Sequence, residues 1–426
     1  MKPRALTLIA ALLLLPVTLC AAAEMRFPPP DFQTGYSLPD LNPDTPPTAS
    51  SNGVPDAIVL FIALSITTWL VFKSRSRRGL FIMTIFSLGY FGFYRTGCIC
   101  PVGSTQNVMA AVLVPDVGVS VAVLSFFVMP LLFSLFFGRV FCASVCPLGA
   151  MQELVAIAPI RISPALDRAL GLGRYLYLGL AVLGVATGAG FFICRWDPFV
   201  GIYRMGHSYG MLLAGVVILV LGVFVARPYC RFLCPYGILL GWMSKFSKWH
   251  LDIPPSPCVS CRLCENSCPY NAIDMPTPQH LVQDPKIGKR RVRLLVLASP
   301  FMIALGAAAG YLMHEPLSRM HPTVEMSERI ALEDLGAITV DNLESRTFRA
   351  AKQTTAELHA EAISIRGRFK TGGAWLGGFM ALIICLKLVG LSTVPKLDVY
   401  TPHKETCFSC GRCYPYCPVE AVPKRA

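Results

Sequence analysis

Long runs of apolar residues dominate the pattern of hydrophobic and polar positions along this chain. A helix of about 17 to 25 mainly apolar residues can cross the hydrocarbon core of a membrane. Such stretches, two of them short, lie at 54–72, 79–94, 117–137, 171–193, 211–226, 294–313 and 375–391. Composition agrees, because 54% of the residues are hydrophobic and only 15% are charged. We therefore predict an all-α polytopic membrane protein with about seven transmembrane helices.

The N-terminal residues have the pattern of a secretory signal peptide. Lys2 and Arg4 precede an apolar stretch, and the alanines at 21–23 offer a cleavage site with small side chains. We predict a signal peptide over 1–23. The Pro-rich segment 24–53 then follows as an extended strap on the outer side, because it holds too few apolar residues to form a core.

Basic residues predict the orientation of the spans. Four of them, Lys73, Arg75, Arg77 and Arg78, lie between the first two spans and mark that loop as cytoplasmic under the positive-inside rule. Alternation places the other strongly basic loops and the C-terminal tail on the same side. We predict a multi-pass protein of the bacterial inner (cytoplasmic) membrane. The net charge of +13 belongs to this inner rim, so it does not indicate a nucleic-acid partner.

Two copies of the spacing C-x2-C-x2-C-x3-C-P indicate iron–sulfur chemistry. This spacing is typical of bacterial ferredoxins, in which the fourth cysteine binds the other cluster. Four thiolates also make structural zinc sites, but zinc ribbons usually pair two C-x2-C units across a longer spacer. We predict two [4Fe-4S] clusters on the cytoplasmic side. One is held by Cys258, Cys261, Cys264 and Cys417, and the other by Cys407, Cys410, Cys413 and Cys268.

A second cysteine pattern, C-x3-C-P-x-G, occurs at the inner ends of two predicted hairpins. We interpret these hairpins as two parallel repeats. Their four cysteines either converge on a further iron–sulfur or metal centre or only pack in the protein interior. At the opposite ends of the hairpins, three more cysteines could bind a cluster, form a disulfide, or do neither. The first group is Cys142, Cys146, Cys230 and Cys234, and the second is Cys98, Cys100 and Cys194.

The remaining features concern the outer side and the last span. Segment 314–373 is the one sizeable outward-facing piece, and its middle, 326–368, has the composition of two helices with solvated charges. His207 and His314 lie at outer ends of spans, where they could serve a quinol site or bind a haem. Cys385, within the last span, is expected to face lipid or pack.

These observations divide the chain into eight segments. They are the signal peptide 1–23, the outer strap 24–53, the membrane domain 54–250 with its two C-x3-C-P hairpin repeats, the first ferredoxin segment 251–285, the transmembrane helix 286–313, the outer helical loop 314–373, the transmembrane helix 374–394 and the second ferredoxin segment 395–426. The two ferredoxin segments are expected to form one small cytoplasmic ferredoxin-like module with two clusters.

The motifs together resemble a known family. The segment from Cys142 to Leu154, the segment from Cys230 to Gly237 and the first ferredoxin run are similar to membrane-bound polyferredoxins, typified by NapH of periplasmic nitrate reduction and by the C-terminal part of NosR. The resemblance covers 98–269 and the final run from Cys407. It implies electron transfer between quinol, flavin or cytoplasmic donors and a periplasmic acceptor or its maturation machinery. The chain departs from NosR-like proteins because it lacks an outer flavin domain.

We therefore predict an electron-transfer subunit of an oxidoreductase system rather than a stand-alone enzyme. It would relay electrons between a quinol or cytoplasmic donor and an exported flavin- or metal-containing redox protein. Two alternatives remain open at this point. One is an assembly factor that reduces metal ions or thiols during maturation of an exported enzyme, and the other is a redox sensor.

Overall fold

The structure, a computed structural model, describes residues 53–97, 100–114, 118–204, 209–253, 260–277, 285–338, 343–350, 354–392, 397 and 399–416. Among the predicted features, the signal peptide, most of the strap, Cys98, His207, Cys258 and Cys417 lie outside these residues. Helices form nearly all of the regular structure described. In chain order they are α1 Gly53–Trp69, α2 Arg77–Ser87, α3 Pro101–Leu113, α4 Val121–Phe137, α5 Pro147–Val155, α6 Pro164–Leu170, α7 Gly173–Thr187, α8 Phe192–Trp196, α9 Pro198–Arg204, α10 Tyr209–Phe224, α11 Pro228–Phe232, α12 Tyr236–Lys245, α13 Leu263–Ser267, α14 Pro285–Leu312, α15 His314–Ser318, α16 Pro322–Asp334, α17 Leu343–Ala350 and α18 Thr355–Ser392.

Short segments of other geometry extend or join these helices. Wider, π-helical turns extend α1 and α2 and precede α5, and a 3-10 turn lies in the tail. The π-helical turns are Leu70–Ser74, Leu88–Tyr94 and Phe141–Val145, and the 3-10 turn is Tyr414–Tyr416. Both strands are two residues long, β1 Ile273–Asp274 and β2 Thr401–Pro402.

A helix lies within each of the seven apolar stretches, but they differ in length. Four helical segments in the described part of the chain are long and apolar enough to cross a membrane, Gly53–Ser74, Pro164–Thr187, Ile287–Leu312 and Thr355–Ser392. The bent pair α9 and α10 makes a fifth if it is counted as one span, whereas α4 is apolar but shorter. The structure thus shows an α-helical protein with several candidate spans, and the count of seven stays a prediction.

The outer loop differs from its predicted boundaries. Its last helix and the last span are one continuous helix, α18, so no break occurs at 373–374. The middle of the loop therefore holds parts of three helices, α16, α17 and the start of α18, where the sequence predicted two. The reason is that Thr355–Lys370, although polar, consists largely of residues with high helix propensity.

Helices α14 and α18 pack as a close hairpin through small residues. Cβ atoms built on Gly306 and Gly310 would collide with the backbone of Gly377 and Gly373, respectively. Small residues of this kind let membrane helices approach each other closely. Cys385 is buried in this contact, with its Sγ 3.8 Å from Sδ of Met302. The packing interpretation of Cys385 therefore holds.

The two ferredoxin segments meet although two long helices separate them in sequence. Strand β1 of the first segment pairs antiparallel with β2 of the second, with Ile273 opposite Pro402 and Asp274 opposite Thr401. The second segment also contacts the start of α2, where Arg77 donates to the carbonyl oxygen of Cys410 at 2.8 Å. Both cysteine runs therefore lie at the same end of the helical domain.

Candidate iron–sulfur sites

An apolar cavity lies between the two ferredoxin segments. Cys268 from the first segment and Cys407, Cys410 and Cys413 from the second line it. Tyr270, Ile273 and Phe408 supply apolar walls. The fourth cysteine of one run thus lines the same cavity as the first three of the other, and the crossed ligand set expected from the ferredoxin spacing stays a prediction. We call this cavity the tail site.

Burial determines the chemistry of the tail-site thiols. It raises the pKa of Cys407 to about 12, an effect that the backbone N–H of Ser409 opposes and that the nearby Cys410 and Cys268 reinforce. The pKa values of Cys413 and Cys268 are raised for the same main reason. Because a buried thiolate is unfavourable without a nearby positive charge, these side chains suit iron ligation better than a reactive-thiol role.

The first ferredoxin run is described only in part. Cys264 is buried against Ile253 and Tyr400, with Cys413 at the edge of the same cluster. Cys261 is exposed. Cys258 and Cys417, the other predicted ligands of this cluster, lie outside the described residues, so the ligand set of this cluster stays a prediction.

The four cysteines of the C-x3-C-P repeats gather at the centre of the helical domain. Each is 7–9% exposed, and Cys146 lies within electrostatic range of the other three. Gln152 donates to Sγ of Cys230 at 3.3 Å. We call this set, Cys142, Cys146, Cys230 and Cys234, the core site.

Each repeat contributes one buried arginine that reaches into the other repeat. Arg139 and Arg227 each stand three residues before the first cysteine of their repeat. A Cβ built on Gly149 would lie 3.4 Å from Nη1 of Arg227, and one on Gly237 would lie 3.2 Å from Nη2 of Arg139. Each guanidinium therefore crosses to the glycine of the opposite repeat, where a larger residue would displace it.

Glu153 is the principal acid of this centre. Its carboxylate, 1% exposed, pairs with Arg227 at 2.9 Å, Arg412 at 2.7 Å and Arg77, and it accepts a hydrogen bond from the Tyr270 hydroxyl at 3.0 Å. These partners come from the second repeat, the tail, the first loop and the first ferredoxin segment. One side chain thus joins four segments that carry or flank the cysteines.

The second repeat has no such acid, and the tail supplies one. Gly241 occupies the position in the second repeat that corresponds to Glu153 in the first. It lies against Glu405, because a Cβ atom built on Gly241 would be 3.2 Å from Cγ of Glu405. Glu405 pairs with Lys245 at 3.0 Å, Lys387 at 3.4 Å and Arg174 at 3.6 Å. Burial alone would raise the pKa of Glu405, but Lys387, Lys245 and Arg174 lower it to about 2.

Cys100, one of the cysteines predicted at the other hairpin ends, lies near the core site. Cys100 is within electrostatic range of Cys194, Asp197 and Cys146. Cys100 and Cys194 are not joined by a disulfide. Asp197 occupies the position in the second repeat that corresponds to Cys100 in the first, and it is 1% exposed. Its carboxylate accepts a hydrogen bond at 3.0 Å from the hydroxyl of Tyr229, the residue that precedes Cys230.

The donor sets fit iron–sulfur clusters rather than a single ion. Among the described residues, no group of three or more His, Cys, Asp or Glu side chains could hold one metal ion. Thiols that bind separate irons of one cube stand farther apart than ligands of one zinc ion. In addition, Nε of the buried Arg139 lacks a hydrogen-bond partner in the described structure. A buried, incompletely satisfied cation suits an anionic cluster nearby.

Sequence reasoning missed the charged residues of the centre. The cysteines were found through their spacing, whereas Glu153, Glu405 and the apolar Phe408 were given no role. Arg139 and Arg227 entered only as basic residues that mark cytoplasmic loops, but both are buried. For the arginines a signal existed, because the repeat reads R-x-x-C-x3-C-P-x-G in both copies.

Comparisons with known proteins agree with this geometry. A family model described as "4Fe-4S binding domain" matches residues 119–163 and 208–254, which hold the core site. A second 4Fe-4S binding domain model matches residues 251–274, which hold the first ferredoxin run. The chain therefore contains 4Fe-4S binding domains, and because three segments match, the predicted count of two clusters is not confirmed.

Three curated relatives share parts of the chain. An uncharacterized protein of Methanocaldococcus jannaschii is 39% identical over 69 residues, 16% of this chain and 28% of the relative. YccM of Escherichia coli K12, named as an electron transport protein, is 34% identical over 58 residues, 14% of this chain and 16% of its own. NirI of Paracoccus denitrificans is 31% identical over 128 residues, which are 29% of this chain and 19% of NirI.

The chain spans less than a third of the length of each of these relatives. No solved structure matches the chain significantly. The comparisons confirm the predicted resemblance to polyferredoxin-like membrane proteins.

Proposed function

We propose that this chain is a membrane electron-transfer protein whose two ferredoxin segments form one cytoplasmic module with two [4Fe-4S] clusters. It relays electrons between a quinol or cytoplasmic donor and an exported flavin- or metal-containing redox partner. When bound, the clusters supply one-electron oxidation and reduction at potentials set by their surroundings. The protein's own residues hold the clusters, exclude water and fix the spacing between sites.

One observation carries the proposal. Cys268 lines the same cavity as Cys407, Cys410 and Cys413, although more than a hundred residues and two long helices separate it from them. Such a convergence supports a shared cluster and the crossed ligand set. Packing alone would not require four thiols to line one apolar cavity.

The core site supports a path into the membrane. Phe408 of the tail site lies against two arginines of the core repeats, and Cys146 of the core site lies within range of Cys100. A cluster at the core site would therefore stand between the ferredoxin module and the Cys100 region. We include the core site in the proposed path as a third centre.

The ligand set is tested by iron analysis and electron paramagnetic resonance (EPR) of the purified protein. We expect Cys268→Ser to remove or alter the signal of the tail site, to which Cys407, Cys410 and Cys413 also belong. Cys385→Ser is the matched control, because that buried cysteine lies between α14 and α18. If Cys268→Ser leaves the tail-site signal intact and alters only the cluster of Cys261 and Cys264, the crossed set is wrong.

Transfer across the membrane is tested in sealed vesicles. A reductant confined to the face of the ferredoxin module should reduce an impermeant acceptor on the other face, and Cys100→Ala should slow this transfer while the module keeps its iron. Equal transfer by the variant would remove Cys100 from the path. An iron-loaded native protein that transfers no electrons would favour the assembly-factor or sensor alternatives.

A further inference from the structure

Two arginines connect the core site to the tail site. Cζ of Arg139 lies 4.3 Å from the centroid of the Phe408 ring, and Cζ of Arg227 lies 5.6 Å from it. Phe408 follows Cys407 directly and lines the tail site. The same ring packs on Tyr270 at 4.8 Å, which holds it in place. The two guanidinium groups therefore contact a side chain of one site while they belong to the repeats of the other.

The arginines also act electrostatically on both sets of thiols. Arg139 is within electrostatic range of Cys230 and Cys234 in the core site and of Cys407 in the tail site. One of its N–H groups points at Sγ of Cys142, at 3.7 Å. Arg227 is similarly within range of Cys230 and Cys410. A charge placed here influences the electron affinity of both sites.

The two arginines differ in how their charge is balanced. Arg227 pairs with the Glu153 carboxylate at 2.9 Å. Arg139, 2% exposed, forms no ion pair with a carboxylate of the described residues; it donates to the carbonyl oxygen of Glu405 at 3.2 Å, and its Nε has no partner there. Burying an unbalanced cation is costly unless negative charge lies close by. Cluster-bound thiolates would supply such charge, and Sγ of Cys142 lies 3.7 Å from Nη2 of Arg139.

We propose that Arg139 is a positioning residue whose buried charge raises the reduction potentials of the core and tail sites together, and that the contact with Phe408 couples the two sites for electron exchange. In the exchange one electron leaves a reduced cluster, which is oxidised, and reduces the other cluster. No bond to the protein changes, and Arg139 neither loses a proton nor carries the electron. This inference rests on the proposed function, because it requires clusters at both sites.

The test is a redox titration of the full-length protein followed by EPR, with iron measured in every sample. Arg139→Gln removes the charge and keeps a hydrogen-bonding amide. We expect it to shift the one-electron reduction equilibrium of both sites toward the oxidised state by tenfold or more, which is about 59 mV or more for one electron. Arg139→Lys keeps the charge, so both equilibria should stay within threefold of the native values.

Arg78→Gln is the control for a general charge effect. It makes the same charge change at an exposed position in the first turn of α2, and we expect less than a twofold shift at either site. A shift as large as that of Arg139→Gln would show that distant surface charge, and not the buried arginine, sets the potentials.

The other outcomes are also decisive. If Arg139→Gln loses iron while Arg139→Lys retains it, the positive charge is needed and the proposal stands. Loss of iron from both variants would overturn the proposal, because the shape of the side chain and not its charge would then be essential. Full iron content with unchanged reduction potentials in Arg139→Gln would also overturn it. A native protein without iron at the two sites would refute the proposed function itself, which separates that failure from failure of this inference.

Discussion

The carboxylate of Glu153 offers the sharpest test of how the cysteine-bearing segments are held together. Glu153→Gln keeps the shape of the side chain and removes its charge. Three guanidinium groups, of Arg77, Arg227 and Arg412, then lose their shared partner. Because Arg227 is fully buried, water cannot replace the lost interaction.

The magnitude follows from burial. Removing one partner of a buried ion pair typically costs about 3–5 kcal/mol, because the other charge stays buried without compensation. The native pair itself stabilises less than this, since both groups lose water on folding. We therefore expect Glu153→Gln to lower the free energy of unfolding by about 3–5 kcal/mol and to loosen the tail, in which Arg412 lies.

Glu328 provides a matched comparison within the same chain. It also pairs with two arginines, Arg319 at 3.0 Å and Arg366 at 2.9 Å, but it is partly exposed. Ion pairs of this type contribute about 0–1 kcal/mol, so Glu328→Gln should be nearly neutral. The difference between the two variants in the free energy of unfolding therefore isolates the effect of burial.

The assay is denaturant unfolding of the detergent-solubilised protein, combined with limited proteolysis of the tail and iron analysis. Glu153→Gln should unfold at lower denaturant concentration, release the tail to protease earlier and bind less iron, whereas Glu328→Gln should match the native protein. If both variants lie within 1 kcal/mol of the native protein, the role we assign to Glu153 is wrong.

Three further predictions concern other parts of the fold. Gly310→Leu should destabilise the α14–α18 hairpin by about 1–3 kcal/mol, because its side chain would collide with the backbone of Gly373. Thermal unfolding should show this loss of stability. The control Gly390→Leu, at a position with open space around it, should unfold like the native protein. Glu405→Gln should weaken tail docking at neutral pH, measured by proteolysis of the tail. Since the folded pKa of Glu405 is lowered from 4.5 to about 2, its contribution is fully present above about pH 4.5 and is lost as the pH falls toward 2, so the native protein and the variant should converge there. If the core site holds one cluster, single alanine variants of Cys142, Cys146, Cys230 and Cys234 should lose the same EPR signal and equal amounts of iron; unequal losses would instead support a packing role.

The sequence predicted those features that repeat or have a fixed spacing. Apolar runs located the helices, and the cysteine spacing singled out four of the residues that line the tail-site cavity, whereas the crossed ligand set itself stays a prediction. The boundaries of α18 were wrong because its polar first half forms helix as readily as its apolar second half. Composition marks where a helix enters the membrane, and it does not mark where the helix begins.

Features that depend on distant segments could not be read in this way. Glu405 lies in the tail and Gly241 in the second repeat, and nothing in either segment indicates that they meet. Phe408 resembles any residue between two cysteines of a ferredoxin run. Its contact with Arg139 and Arg227 follows only from the folded position of the tail, which tertiary packing determines.

The replacement of an acid in the second repeat by Gly241 has a consequence for the order of assembly. The first repeat carries its own carboxylate, but the second receives one only when Glu405 arrives. Residue 405 follows all of the described α-helices in the chain, so the balance of charge at the centre of the protein is completed only after these helices have been synthesised. The helical domain therefore cannot reach its final state segment by segment, and a segment made after its helices completes the protein interior.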